Sequence, residues 1–254
     1  MAPTFGSFST ANTGATSTNV TTVTCPSGTQ TDDLLLFFAC NDATNTYASA
    51  SAGLTEVWRP TTNQGDMASA CWYRTATSAD VAGSTTYSVT KSGTAGTNPK
   101  LLVCMRYTGV DVSQLPLAAG TASGNSRIAD RWTYKQGPNT TTAANAACPA
   151  PLNPNNTIAA TDLAVRCFLV GQDSASTGMT MSVAPASWTK RTDATTVTNL
   201  GSSAFNVGIS VVDRLGVTDL STMNANKIGM WDSYTIFLPA APDPATGRFL
   251  PFFM

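Results

Sequence analysis

The chain predicts an all-β fold: a large antiparallel β-sandwich of jelly-roll type, built from two halves that repeat one another. Three observations carry that expectation. First, Thr, Val, Gly and Pro are abundant while strong helix formers are scarce; Glu56 is the one glutamate. Second, apolar runs of strand length recur between turn residues, among them Leu34 to Cys40, Leu101 to Tyr107 and Leu163 to Val170. Third, the chain repeats a wording. Asp33-Leu34-Leu35-Leu36 returns as Asp162-Leu163-Ala164-Val165, Val57-Trp58-Arg59 as Ser187-Trp188-Thr189, and Trp72-Tyr73-Arg74 as Val212-Asp213-Arg214. Met105-Arg106-Tyr107 returns as Ile236-Phe237-Leu238. Most of these pairs stand about 130 residues apart, far longer than the unit of a solenoid, so the repeat reads as a duplicated sheet.

Taken in order, residues 1–19 are rich in Thr, Ser and Asn and read as an N-terminal arm or a loosely held edge. The first half spans 20–112. Val20 to Thr24 alternates β-branched residues as a strand, and Cys25-Pro26-Ser27-Gly28 turns the chain. Leu34 to Cys40 suits a strand buried on both faces. Leu54 to Arg59 and Ser69 to Thr75 follow as strands, the latter with Trp72 and Tyr73 on opposite faces. Tyr87 to Thr90 and Lys100 to Tyr107 complete the half. Residues 113–156 show no clear period, and a stretch of that length is uncommon unless it is functional or wraps a partner. The second half runs over 157–239, and 240–254 is a Pro-rich tail with an apolar end. At 254 residues the chain can bury one large core or two small ones, so two tandem sandwiches are the alternative architecture.

Composition narrows the function. Only 11% of residues are charged and the net charge is −1, which leaves no basic footprint for nucleic acid or an anionic membrane. A surface covered by Thr, Ser, Asn and Ala lacks charge-based solubility and suits burial in an assembly. There is no histidine, which removes the commonest general base and any His-containing triad. No apolar run approaches a membrane span, and no secretory leader is visible at the N-terminus. Neither a phosphate loop nor a calcium loop occurs, and no CxxC spacing points to zinc, so no metal or cofactor is expected. Paired carboxylates for sugar hydrolysis would have to come from Asp32, Asp33, Asp42, Asp66 or Asp173, whose bland reading is turn capping.

Cys40, Cys71, Cys104 and Cys167 lie in apolar runs and read as core thiols. Cys25 and Cys148 each precede a proline upstream of an Asp-Leu strand, and form the candidate disulfide. Trp58 and Trp188 hold matching places and read as core anchors. Arg74 and Arg214 also match, and each is expected to pair with the Asp of an Asp-Leu strand. Partner-binding candidates fall outside the repeats. Arg127, Arg131, Trp132 and Tyr134 are the contact-capable side chains of the irregular segment. Phe249, Leu250, Phe252, Phe253 and Met254 would form a sticky patch if exposed, and are expected to bury on their own sandwich or in a neighbouring subunit.

The order Asp33-Leu34-Leu35-Leu36, Gly53-Leu54-Thr55-Glu56-Val57-Trp58, Cys71-Trp72-Tyr73-Arg74, Tyr87-Ser88-Val89-Thr90 and Arg106-Tyr107-Thr108-Gly109-Val110-Asp111 resembles a group of tailed-bacteriophage virion proteins. Thr161-Asp162-Leu163, Ala186-Ser187-Trp188-Thr189 and Tyr234 to Pro239 follow the same group's C-terminal half. The group's motif has glycine before the Asp-Leu strand, where this chain has Asp32. The resemblance implies a virion component, made in the host bacterial cytoplasm, without catalytic residues. Its partners would be the major capsid protein or neck and tail subunits, and copies of itself in a homo-oligomer. Capsid decoration is the leading expectation. A tail or neck module holding a host glycan through Trp132 and Tyr134 comes second, and a polysaccharide-active enzyme third.

Overall fold

The computed structural model describes residues 1–13, 18–42, 46–60, 67–93, 98–115, 121–123, 126–129, 131–137, 158–172, 187–195, 206–216 and 230–242. The described chain is almost entirely β, as the sequence predicts. Its strands are β1 (Thr4–Asn12), β2 (Val20–Thr24), β3 (Leu34–Asp42), β4 (Tyr47–Ala50), β5 (Thr55–Trp58), β6 (Met67–Thr75), β7 (Thr86–Lys91) and β8 (Lys100–Thr108). They continue with β9 (Thr121–Ser123), β10 (Ser126–Ala129), β11 (Trp132–Gly137), β12 (Leu163–Gln172), β13 (Thr189–Thr195), β14 (Asn206–Leu215) and β15 (Met230–Leu238). A one-turn helix, α1 (Ser78–Val81), joins β6 to β7.

Every strand pairing is antiparallel. The first sheet runs β1-β8-β3-β6-β5 and the second β13-β14-β12-β15-β11-β10-β9. A small third sheet runs β2-β7-β4. The segments matched in the sequence, β3 with β12, β5 with β13, β6 with β14 and β8 with β15, take corresponding places in the two large sheets. β1 and β11, at the other end of these orders, pair with β8 and β15 respectively.

Strand alternation decides the layers. Leu34, Leu36, Phe38 and Cys40 of β3 face Val165, Cys167, Leu169, Tyr234 and Ile236 of the second sheet, in one core shared by both halves. Leu35, Phe37 and Ala39 face the small sheet's Val23, Tyr47, Tyr87 and Val89. Ala164, Phe168, Val170, Trp231 and Phe237 lie on the far face of the second sheet, with Trp188. β3, β8, β12 and β15 are thus largely apolar and buried on both faces. The shared core decides for one large sandwich over two in tandem.

Two boundaries differ from the sequence reading. The expected N-terminal arm contains β1, which pairs with β8 over its whole length. Its residues are never fully buried, and its two aromatic residues, Phe5 and Phe8, stand three apart across a bulge, so the strand leaves no period-two apolar signal. The expected irregular segment 113–156 contains β9, β10 and β11, which extend the second sheet beyond β15.

Both Asp-Leu strands open from the same turn. The Asp33 N–H donates to the Gln30 carbonyl, and Asp33 Oδ2 accepts the Gln30 N–H at 2.7 Å. The Asp162 N–H likewise donates to the Ala159 carbonyl, and Asp162 Oδ2 accepts the Ala159 N–H at 3.1 Å. Each carboxylate then takes an arginine: Arg106 Nε lies 2.6 Å from Asp33, and Arg131 Nη1 lies 3.0 Å from Asp162. The expected partners Arg74 and Arg214 are used elsewhere. Arg74 pairs with Asp80 of α1 at 3.1 Å and lies over the Tyr87 ring, while Arg214 donates to Ser187 Oγ.

Candidate functional site

The densest group of reactive side chains among the described residues is a polar node inside the shared core. β15 alternates Met230, Asp232, Tyr234, Ile236 and Leu238 towards the first sheet, so a carboxylate points where only apolar groups are expected. Ser69 reaches it from β6 across the layer and donates to Asp232 Oδ2. Tyr134 of β11 donates its hydroxyl to Asp232 Oδ1 at 3.0 Å. The Tyr234 hydroxyl stands 2.9 Å from Ser69 Oγ, and the Tyr134 and Tyr234 rings are 5.0 Å apart. Tyr134 and Tyr234 are cross-strand partners, so sheet register fixes that half of the node.

Asp232 is fully buried. Desolvation pushes its carboxyl up to about 7, and the hydrogen bonds from Ser69 and Tyr134 offset only part of that. Burial above all, and the same carboxylate after it, raise both tyrosines. An acid beside a serine hydroxyl has the ingredients of proton transfer. Its members are at most 5% exposed, however, so no substrate reaches them, and the node acts as a clamp between the two large sheets. A second clamp links them at β1 and β13. Arg191 Nε lies 2.8 Å from Asp213, its guanidinium sits over the Phe5 ring, and Phe5 meets Tyr107 edge-on. Burial is the largest influence on Asp213 and raises it, against the lowering effect of Arg191.

Of the partner-binding candidates, Trp132 and Tyr134 are corrected by their burial. Trp132 is wholly enclosed and stacks on Trp58 at 6.1 Å, and Tyr134 belongs to the node. The reason is β11: once this segment is the neighbour of β15, its alternate residues enter the core. A glycan-holding module built on these two rings therefore has no platform. Arg131 holds Asp162 and Gln114 in a partly buried bridge. Arg127 lies on β10 in register with Tyr134. Cys25 is a buried free thiol 3.3 Å from Thr29 Oγ1. Its expected disulfide partner Cys148 lies outside the described residues, as do Phe249, Leu250, Phe252, Phe253 and Met254. The sequence reading missed Ser69 and Asp232. The signal was present in the alternation of Met230, Tyr234, Ile236 and Leu238 around Asp232.

Among the described residues, no group of three or more acids and cysteines is placed to hold a metal ion, and no helix is long and apolar enough to cross a membrane. No protein-family model, no curated protein and no solved structure matches the chain.

Proposed function

We propose that this protein is a structural subunit of a tailed-bacteriophage virion, with decoration of the capsid shell as its first location. The observation that carries the reading is Asp32. It stands where the virion-protein motif has glycine, and it alone among the described non-glycine residues has a positive φ, 69°. That region is the one glycine serves at low cost. The backbone of the turn therefore has the shape the motif requires, although the residue differs. The turn's carboxylate and its arginine recur at Asp162 and Arg131, as expected of a scaffold repeated for support.

The mechanism is adhesive. The buried acids Asp33, Asp80, Asp162, Asp213 and Asp232 are all bonded to groups of the same chain and serve its own fold. The low-charge surface and the apolar segment Phe249 to Met254 would bury area on copies of the protein and on neighbouring virion proteins.

An antibody raised against the recombinant chain, with gold labelling of purified particles, tests the reading. Gold spread over the shell is the expected outcome, and gold restricted to neck or tail moves the location. The absence of any peptide of this chain from disrupted, purified particles by mass spectrometry refutes it. Deleting Phe249 to Met254 should release the protein from particles, and unchanged incorporation refutes the role given to that segment.

A further inference from the structure

We propose that the free edge of β1 is where two copies of this protein join, antiparallel and about a two-fold axis at Phe8, so that their first sheets run on into one. Among the described residues only β8 pairs with β1, which leaves β1 at the end of its sheet. Alternate residues of such a strand turn their N–H and C=O groups outwards, as a template for another strand. The other edges of the two large sheets are blunted or short. β5 carries the Glu56–Arg59 ion pair beside it and a bulge between Glu56 and Trp58. β13 carries Lys190, Arg191 and Asp193, and a bulge between Lys190 and Thr192. β9 is three residues long. β1 has a bulge too, at Gly6, but from Ser7 to Asn12 its register with β8 is unbroken.

β1 also suits its own copy. No charged side chain precedes Asp32 in the chain, so β1 meets itself without like-charge repulsion. Phe8, the middle residue of the strand, is 42% exposed. It pairs with Met105, whose side chain enters the shared core, so Phe8 lies on the side of the first sheet that faces the second. Arg191 of β13 covers Phe5 on that side, while Phe8 is left in the open. A two-fold axis perpendicular to the sheet at Phe8 sets its ring beside the Phe8 ring of the second copy, on the same face, with Ser7 opposite Ser9. Directly opposed rings on neighbouring strands are in contact and cover one another. Such an interface is isologous and closes at two copies, which ends the templating that an open edge invites. The β1 contact names one place where the copies invoked above would meet. It can fail without the virion reading, since particle content tests that reading and association in solution tests this one.

Sedimentation velocity of the full-length protein over a range of concentrations tests it. A reversible dimer is expected. Phe8→Lys sets two ammonium groups side by side and removes the ring contact, and should weaken the dimer by about tenfold or more with the circular dichroism of the wild type kept. Should Phe8→Lys fail to fold, Thr10→Lys serves, since Thr10 is exposed and pairs with Val103 on the same face of β8 as Met105. A cross-link locates the contact: a short bismaleimide should join two Phe8→Cys chains far more efficiently than two wild-type chains, whose described cysteines are all buried. A wild type that stays monomeric at its highest soluble concentration overturns the proposal. So does association that the folded Phe8→Lys or Thr10→Lys protein leaves unchanged, and so does cross-linking of Phe8→Cys no greater than that of the wild type.

Discussion

Asp232→Asn should remove a pH dependence that the buried node builds into the fold. The native carboxyl titrates at about 7 against an ordinary value of 3.8. The folded state therefore holds the proton more tightly than the unfolded chain. The resulting stability is fully present below the unfolded value and is lost as pH rises through the folded one. At 1.36 kcal/mol per pH unit, the whole effect is about 4 kcal/mol, of which about 3 kcal/mol disappears between pH 5 and pH 8. Asparagine keeps the shape and still accepts from Ser69, but it does not titrate. Urea unfolding of both proteins at half-unit steps over that range gives the assay. The difference between the two curves isolates the node, because Asp80, which is lowered, and Asp213, which is raised, contribute equally to both. The wild type should lose about 3 kcal/mol relative to the variant on going from pH 5 to pH 8. Parallel curves would refute the claim that desolvation dominates at Asp232.

The remaining predictions concern packing and backbone. Trp132→Ala should cost about 3–5 kcal/mol in urea unfolding, because a fully enclosed indole stacked on Trp58 leaves a cavity; a loss under 1 kcal/mol would mean that the ring is not in the core. A Cβ on Gly137 would fall inside the indole of its cross-strand partner Trp231, so Gly137→Ala should destabilise by about 1–3 kcal/mol and alter the tryptophan emission. Asp32→Gly should leave stability unchanged or raise it by up to about 1 kcal/mol, whereas Asp32→Val should lower it by about 1–2 kcal/mol. Equal losses in both Asp32 variants, read by thermal melts, would remove the turn's claim to the glycine conformation.

The class of the fold was readable because β3 is a continuous apolar run and β8 and β12 are apolar but for single arginines within them, and such runs need cover on both faces. β1 was not, since its Phe5 and Phe8 stand three apart, out of strand alternation, among small residues half-covered at a sheet edge. β11 was read as contact surface because a segment rich in Thr, Asn and Pro follows it, and periodicity over a single six-residue strand is a weak signal. The arginine partners show a different limit. Arg74 and Arg106 both stand in register with Leu35, on either side of β3, so sequence matching alone could not decide which takes Asp33. Asp80, placed by the turn of α1, draws Arg74 away.

The strand order of the first sheet also sets a timetable for folding. β1 precedes the other strands, yet its partner β8 is the last strand of that half: Thr4 pairs with Thr108, and Asn12 with Leu101. β3 depends on β8 in the same way, for Leu34 pairs with Tyr107. Until β8 leaves the ribosome, β3 keeps one edge open along a strand that is apolar on both faces, in a chain with few charges to repel a neighbour. Pairings so distant in sequence close slowly. The interval between the synthesis of β3 and that of β8 is therefore when this protein is most exposed to aggregation, and slowing initiation or lowering the growth temperature should raise the yield of folded chain.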